Sequence, residues 1–126
     1  MNVGLNKLGD IALVAFDVDG VFTDGRFYLS DDGIETKAFH TQDGYGVRQL
    51  IKAGVAVAVI SGRKSRAVEK RMAELDVRHV VLGCKDKVAA MNELAARLDI
   101  AITDCAYVGD DMPDLPLLEH VGFSVA

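Results

Sequence analysis

Residues 11–25 read IALVAFDVDGVFTDG, and this stretch decides the fold. Ile11–Phe16 is an unbroken apolar run that stops at Asp17, Asp19 and Gly20. A run so short and so uniformly apolar predicts a strand buried on both faces, followed by an acidic turn. Val55–Ile60, His79–Leu82 and Cys105–Val108 read the same way. Helical patterns lie between them. Gly46–Ala53 is a short one ended by Gly54. Ser65–Leu75 repeats Val68, Met72 and Leu75 at helical spacing, and Asp86–Leu98 does so with Val88, Met91, Leu94, Ala95 and Leu98. Strands alternating with helices predict βαβ crossovers, hence an α/β fold with a doubly wound parallel sheet in three layers. Arg26–His40 breaks that rhythm. Arg26–Ser30 and Ile34–His40 flank Asp31-Asp32-Gly33, which predicts a β-hairpin inserted after the first strand, over about residues 26–40.

Composition narrows the classes. The chain has 126 residues, 50% hydrophobic and 26% charged, so one ordered domain over residues 1–126 is expected. A formal charge of −5 argues against a general nucleic-acid binder, which would show a basic face. No apolar run is long enough to span a bilayer, so no membrane partner is expected. Cys84 and Cys105 match no Cys-x-x-Cys pattern. With no signal-peptide pattern ahead of them, they predict free thiols and a cytoplasmic setting.

In open parallel sheets, ligands bind beyond the carboxyl ends of the strands. Four such ends carry polar residues here: Asp17-Val18-Asp19-Gly20, Ser61-Gly62-Arg63, Cys84-Lys85-Asp86-Lys87, and Gly109-Asp110-Asp111-Met112-Pro113-Asp114. Asp17 and Asp19 are two apart, so extended backbone would aim both side chains the same way. With Asp110 from a neighbouring strand end, three carboxylates would converge, and a hard cation relieves their repulsion. All-oxygen donors favour Mg²⁺. Ser61 offers a hydroxyl and Lys87 a compact positive charge, which suit a tetrahedral anion beside the metal. Carboxylate, Mg²⁺, hydroxyl and lysine together describe phosphoryl transfer.

The motifs D-x-D-G-V-x-T-D-G, S-G-R, the lysine and G-D-D-x-x-D resemble the four motifs of the haloacid dehalogenase-like (HAD) phosphatases. Asp17–Gly25, Gly33–His40, Asp43-Gly44-Tyr45-Gly46, Tyr107–Asp114 and the ending Val121–Ala126 are similar to those members that act on 3-deoxy-D-manno-octulosonate (Kdo) 8-phosphate. The resemblance implies a HAD-like Rossmannoid domain with no separate cap domain and with the family's C-terminal tail absent. It implies Asp17 as nucleophile and Asp19 as acid and base. Mg²⁺ would be held by Asp17, the main-chain carbonyl of Asp19 and Asp110, with Asp111 behind them. It also implies Ser61 and Lys87 on the phosphate, Lys87 rather than Lys85 because the family lysine starts a helix. Arg63 and Lys37 would contact the substrate carboxylate, Lys37 from across a subunit boundary. The implied assembly is a homotetramer built through the hairpins. The implied product is Kdo, which feeds lipopolysaccharide synthesis.

Plainer readings compete with these. An isolated D-x-D pair is usually a turn, Ser61-Gly62 a strand ending, and Asp114 equally a helix N-terminal residue stabilised by the dipole. An EF-hand loop fails because Val21 takes a ligand position. A phosphatase of a related nine-carbon sugar acid would carry the same catalytic motifs. A receiver-type signalling domain shares the acidic cluster, hydroxyl and lysine. Its phosphoacceptor follows the third strand, however, whereas Asp17 follows the first.

Overall fold

The computed structural model describes residues 11–19, 21–23, 26, 28–109 and 121–125. Its main sheet holds β1 (Leu13–Phe16), β4 (Ala56–Ile60), β5 (His79–Val81), β6 (Cys105–Val108) and β7 (Phe123–Val125) in the order β5-β4-β1-β6-β7. Every neighbouring pair is parallel. The chain winds outward from β1 through β4 to β5, then restarts on the far side of β1 with β6 and β7. That reversal makes the sheet doubly wound and opens a crevice at the carboxyl end of β1.

Strand alternation sorts the core. Leu13, Ala15, Ala58, Ile60, Cys105 and Tyr107 face one side and pack against Met91, Leu94 and Ala95 of α3 (Lys87–Arg97). The fully buried Tyr107 ring fits because its register partner Ala15, and Ala58 beside Ala15 on β4, are small. Val57 and Val59 face the other side. They meet Val47 of α1 (Thr41–Lys52) and Val68 and Met72 of α2 (Arg66–Glu74). Ile11, Val14 and Ala106 extend that face toward β6.

Three elements differ from expectation. The helix read as Gly46–Ala53 begins at Thr41, because His40 caps it, its Nδ1 accepting from the Gln42 amide at 3.1 Å. The glycines that disguise this turn have a packing role at Gly44. A Cβ there would lie 3.0 Å from the Leu75 side chain and closer still to the guanidinium end of Arg71, so both side chains would have to give way to it. The hairpin pairs over a shorter length than its arms suggested, as β2 (Tyr28–Leu29) and β3 (Glu35–Thr36). Gly33 takes φ 81° in its turn, and the Ser30 hydroxyl accepts from the Ile34 amide at 3.1 Å. Finally, the last apolar run forms a fifth parallel strand, β7, beside β6.

No helix among the described residues is long and apolar enough to cross a membrane.

Candidate active site

Asp17 directly follows β1, and its amide donates to the Val108 carbonyl of β6 at 2.9 Å. This bond continues the sheet's ladder by one step and plants the carboxylate at the switch point. The strand ends before Asp19, which stands in a turn whose Val21, Phe22 and Thr23 amides all donate to the Val18 carbonyl. Extended backbone is therefore not what aligns the two aspartates. Val18 is buried among Phe22, Val47 and Val59, and the turn it anchors brings Asp17 and Asp19 to one cleft.

That cleft has a volume of about 280 Å³ and is lined by Asp17, Asp19, Ser61, Gly62, Arg63, Cys84, Lys85 and Lys87. Ser61 follows β4 and is buried, with its hydroxyl accepting from the Arg63 amide at 3.3 Å. Lys87 opens α3, behind the N-cap Asp86, whose side chain accepts from the Ala89 amide at 3.0 Å. A cation in a first helical turn opposes the helix dipole, so helix stability does not explain this lysine. Its side chain is buried along the sheet end, 3.5 Å from Asp17 Oδ1, and Nζ donates to the Tyr107 hydroxyl at 3.2 Å. The ammonium also lies 5.9 Å from the Tyr107 ring centroid. Lys85 lines the cleft but is exposed, so Lys87 is the buried cation beside Asp17.

Lys37 is buried, with Nζ 2.6 Å from Asp19 Oδ1 and 3.6 Å from Glu35 Oε1. Arg63 stands at the cleft mouth, half exposed, 3.4 Å from the same Glu35 oxygen. Asp110, Asp111 and Asp114 lie outside the described residues. Among the described residues no three His, Cys, Asp or Glu side chains cluster as a metal site. Among the described residues, Asp17 and Asp19 are the carboxylates that line the cleft. That donor set suits Mg²⁺ better than a softer ion.

Glu35, Tyr107 and Cys84 were not singled out as site residues by the sequence. A tyrosine within a strand buried on both faces needs a partner for its hydroxyl, and that was the available signal for Tyr107. Cys84 is half-buried at the cleft wall, whereas Cys105 is fully buried. Burial, reinforced by Asp104, pushes the Cys105 thiol up to about 11, which keeps it unreactive.

Comparison with known proteins places this geometry. A family model described as haloacid dehalogenase-like hydrolase matches residues 83–126. The crystal structure of a 3-deoxy-D-manno-octulosonate 8-phosphate phosphatase from Moraxella catarrhalis, in complex with magnesium, phosphate and Kdo, superposes with a TM-score of 0.94. It is 42% identical and covers 98% of this chain and 72% of its own. This chain belongs to the haloacid dehalogenase-like hydrolases. The HAD-like fold is shared as well with the cobalt-bound phosphatase of the same description from Haemophilus influenzae, at a TM-score of 0.89 and 39% identity over 94% of this chain and 69% of that one. A curated relative from Salmonella typhi, a 3-deoxy-D-manno-octulosonate 8-phosphate phosphatase, is 44% identical over 97% of this chain. The chain spans 65% of the length of that relative.

Proposed function

We propose that this chain is a Mg²⁺-dependent phosphomonoesterase that hydrolyses Kdo 8-phosphate to Kdo and phosphate. The observation that carries the reading is the burial of Lys87 3.5 Å from Asp17 in a cleft that also holds Asp19 and Ser61. The relatives from Moraxella catarrhalis and Salmonella typhi support the choice of substrate.

Asp17 attacks phosphorus and forms an aspartyl-phosphate, while Asp19 gives its proton to the departing sugar oxygen. Asp19 then takes a proton from the water that cleaves the acyl phosphate, which restores both carboxyl groups. Lys87 and Ser61 hold phosphate oxygens through a charged and a neutral donor. Asp17, the Asp19 carbonyl and Asp110 would hold Mg²⁺, with Asp111 supporting them, and the ion would offset the phosphate charge that otherwise repels a carboxylate nucleophile. Arg63, at the mouth, meets the substrate carboxylate.

The exposed hairpin side chains Tyr28, Leu29 and Ile34, 70%, 64% and 64% accessible, fit a homotetramer assembled through this element. The free thiols fit action in the cytoplasm, where the product would enter lipopolysaccharide synthesis. The test is phosphate release from Kdo 8-phosphate and from a nine-carbon sugar-acid phosphate, with and without Mg²⁺. Turnover of Kdo 8-phosphate that vanishes in Asp17→Asn is expected. Preference for the nine-carbon ester would overturn the substrate, and one stoichiometric phosphorylation without turnover would overturn the enzyme. A monomer in sedimentation at working concentration would overturn the assembly.

A further inference from the structure

One carboxylate oxygen of the hairpin stands between two cations at the cleft. Glu35 Oε1 lies 3.4 Å from Arg63 Nη2 and 3.6 Å from Lys37 Nζ. Lys37 is sealed off, its side chain 1% exposed, and its nearer partner is Asp19 Oδ1 at 2.6 Å. Arg63 lines the cleft and its side chain is 50% exposed, so it is the cation of the two that a solute at the mouth reaches. Glu35 therefore presents to Arg63 the same chemical group that a sugar-acid ester would bring. The long nitrogen–oxygen distance and the exposure of Arg63 mark the pair as weak and exchangeable.

We propose that Glu35 is a built-in competitor that sets how tightly Arg63 holds a ligand carboxylate. The inference rests on the phosphatase reading. In the empty cleft Glu35 holds the guanidinium. An arriving carboxylate takes its place on Arg63, and Glu35 stays beside Lys37. When the sugar acid leaves, Glu35 returns to Arg63. Ester and released sugar acid carry the same carboxylate, so the exchange loosens both alike and acts on binding rather than on the chemical step. The gain is discharge of the product, which would otherwise keep its full contact with Arg63.

The experiment measures KM for Kdo 8-phosphate, and competitive inhibition by Kdo and by its methyl ester, on the full chain with Mg²⁺. Glu35→Gln keeps the shape of the side chain, and Lys37 keeps Asp19 as its charged partner, so the fold is preserved. Exposed ion pairs carry a few-fold effect, so this variant is expected to lower KM and the inhibition constant of Kdo together, by about 2- to 5-fold. The methyl ester has lost the negative charge, and its constant should move by less than about 1.5-fold. Arg63→Gln removes the contested cation, and in that background Glu35→Gln should no longer tighten Kdo. A constant for Kdo that rises would overturn the proposal, because Glu35 would then be aiming Arg63 at the ligand; an unchanged constant would overturn it as well. Tightening that persists without Arg63 would reduce the effect to general repulsion between Glu35 and anions, and equal tightening of the methyl ester would trace it to hairpin packing; either result sinks the competitor. All of these leave the phosphatase reading intact, whereas a wild-type chain that releases no phosphate from Kdo 8-phosphate would overturn that reading itself.

Discussion

Replacing Tyr107 with phenylalanine removes one oxygen from the interior and leaves the ring where it is. Tyr107 is fully buried, and its hydroxyl receives the Lys87 ammonium at 3.2 Å. The ring contact at 5.9 Å survives the change, while the hydrogen bond from Lys87 is lost. Hydrogen bonds to charged groups contribute about 1.5–3 kcal/mol, and the surviving Asp17 contact at 3.5 Å still compensates the ammonium. The expected cost of Tyr107→Phe is therefore about 1.5–2 kcal/mol. The decisive measurement is a double-mutant cycle with Lys87→Met, in phosphate-free buffer without metal. In that background the bond from Lys87 is gone, so the cost of Tyr107→Phe should fall by about 1 kcal/mol or more. The chain has no tryptophan, so urea unfolding is followed by far-UV circular dichroism, with an unchanged m-value as the condition for comparison. A coupling below about 0.5 kcal/mol would refute the idea that Tyr107 secures Lys87.

Three further outcomes are expected. Asp99 follows α3 at φ 57°, a left-handed position at the negative end of the helix dipole, so Asp99→Gly should raise stability by about 0.5–1 kcal/mol in urea unfolding. A Cβ at Gly122 would run into the Thr103 backbone, closer than any real contact, so Gly122→Ala should cost about 3 kcal/mol or more, or detach β7, read as lost amide protection in β6 and β7. Burial first, then Arg97 and Arg78, lowers the pKa of His79. The unfolded chain therefore binds the His79 proton more readily than the folded one, and stability falls as pH drops below about 6.5, levelling off at the lowered folded value. His79→Gln should flatten that segment of the stability–pH curve, and an unchanged slope would exclude His79 as its source.

Local periodicity and strand endings made much of this protein legible in advance. Ile11–Phe16, Val55–Ile60 and Cys105–Val108 read as buried strands because nothing polar interrupts them, and all three contribute to the sheet. Asp17, Ser61 and Lys87 could be placed together because a doubly wound sheet sends its strand ends to one rim. The start of α1 was hidden. Gly44 and Gly46 lower helix propensity, and only the tertiary structure shows that Gly44 lies against the Arg71 and Leu75 side chains. β7 was missed because its run is short and its pairing partner β6 lies well upstream.

What the sequence determined by itself was the alternation of elements, the parallel sheet and the rim that carries Asp17, Ser61 and Lys87, since each of these follows from short-range pattern. What only the tertiary structure decided was the pairing of charges. Lys37 with Asp19 is a contact 18 residues apart, Lys87 with Tyr107 one of 20, and Arg63 with Glu35 one of 28. No periodicity encodes such separations. They arise when the hairpin folds over the β1 and β4 loops, and when α3 lays its first residue against the end of β6. Burial then forces Lys37 and Lys87 to take the carboxylate or hydroxyl within reach, because an uncompensated charge in that setting costs more than the fold can offset.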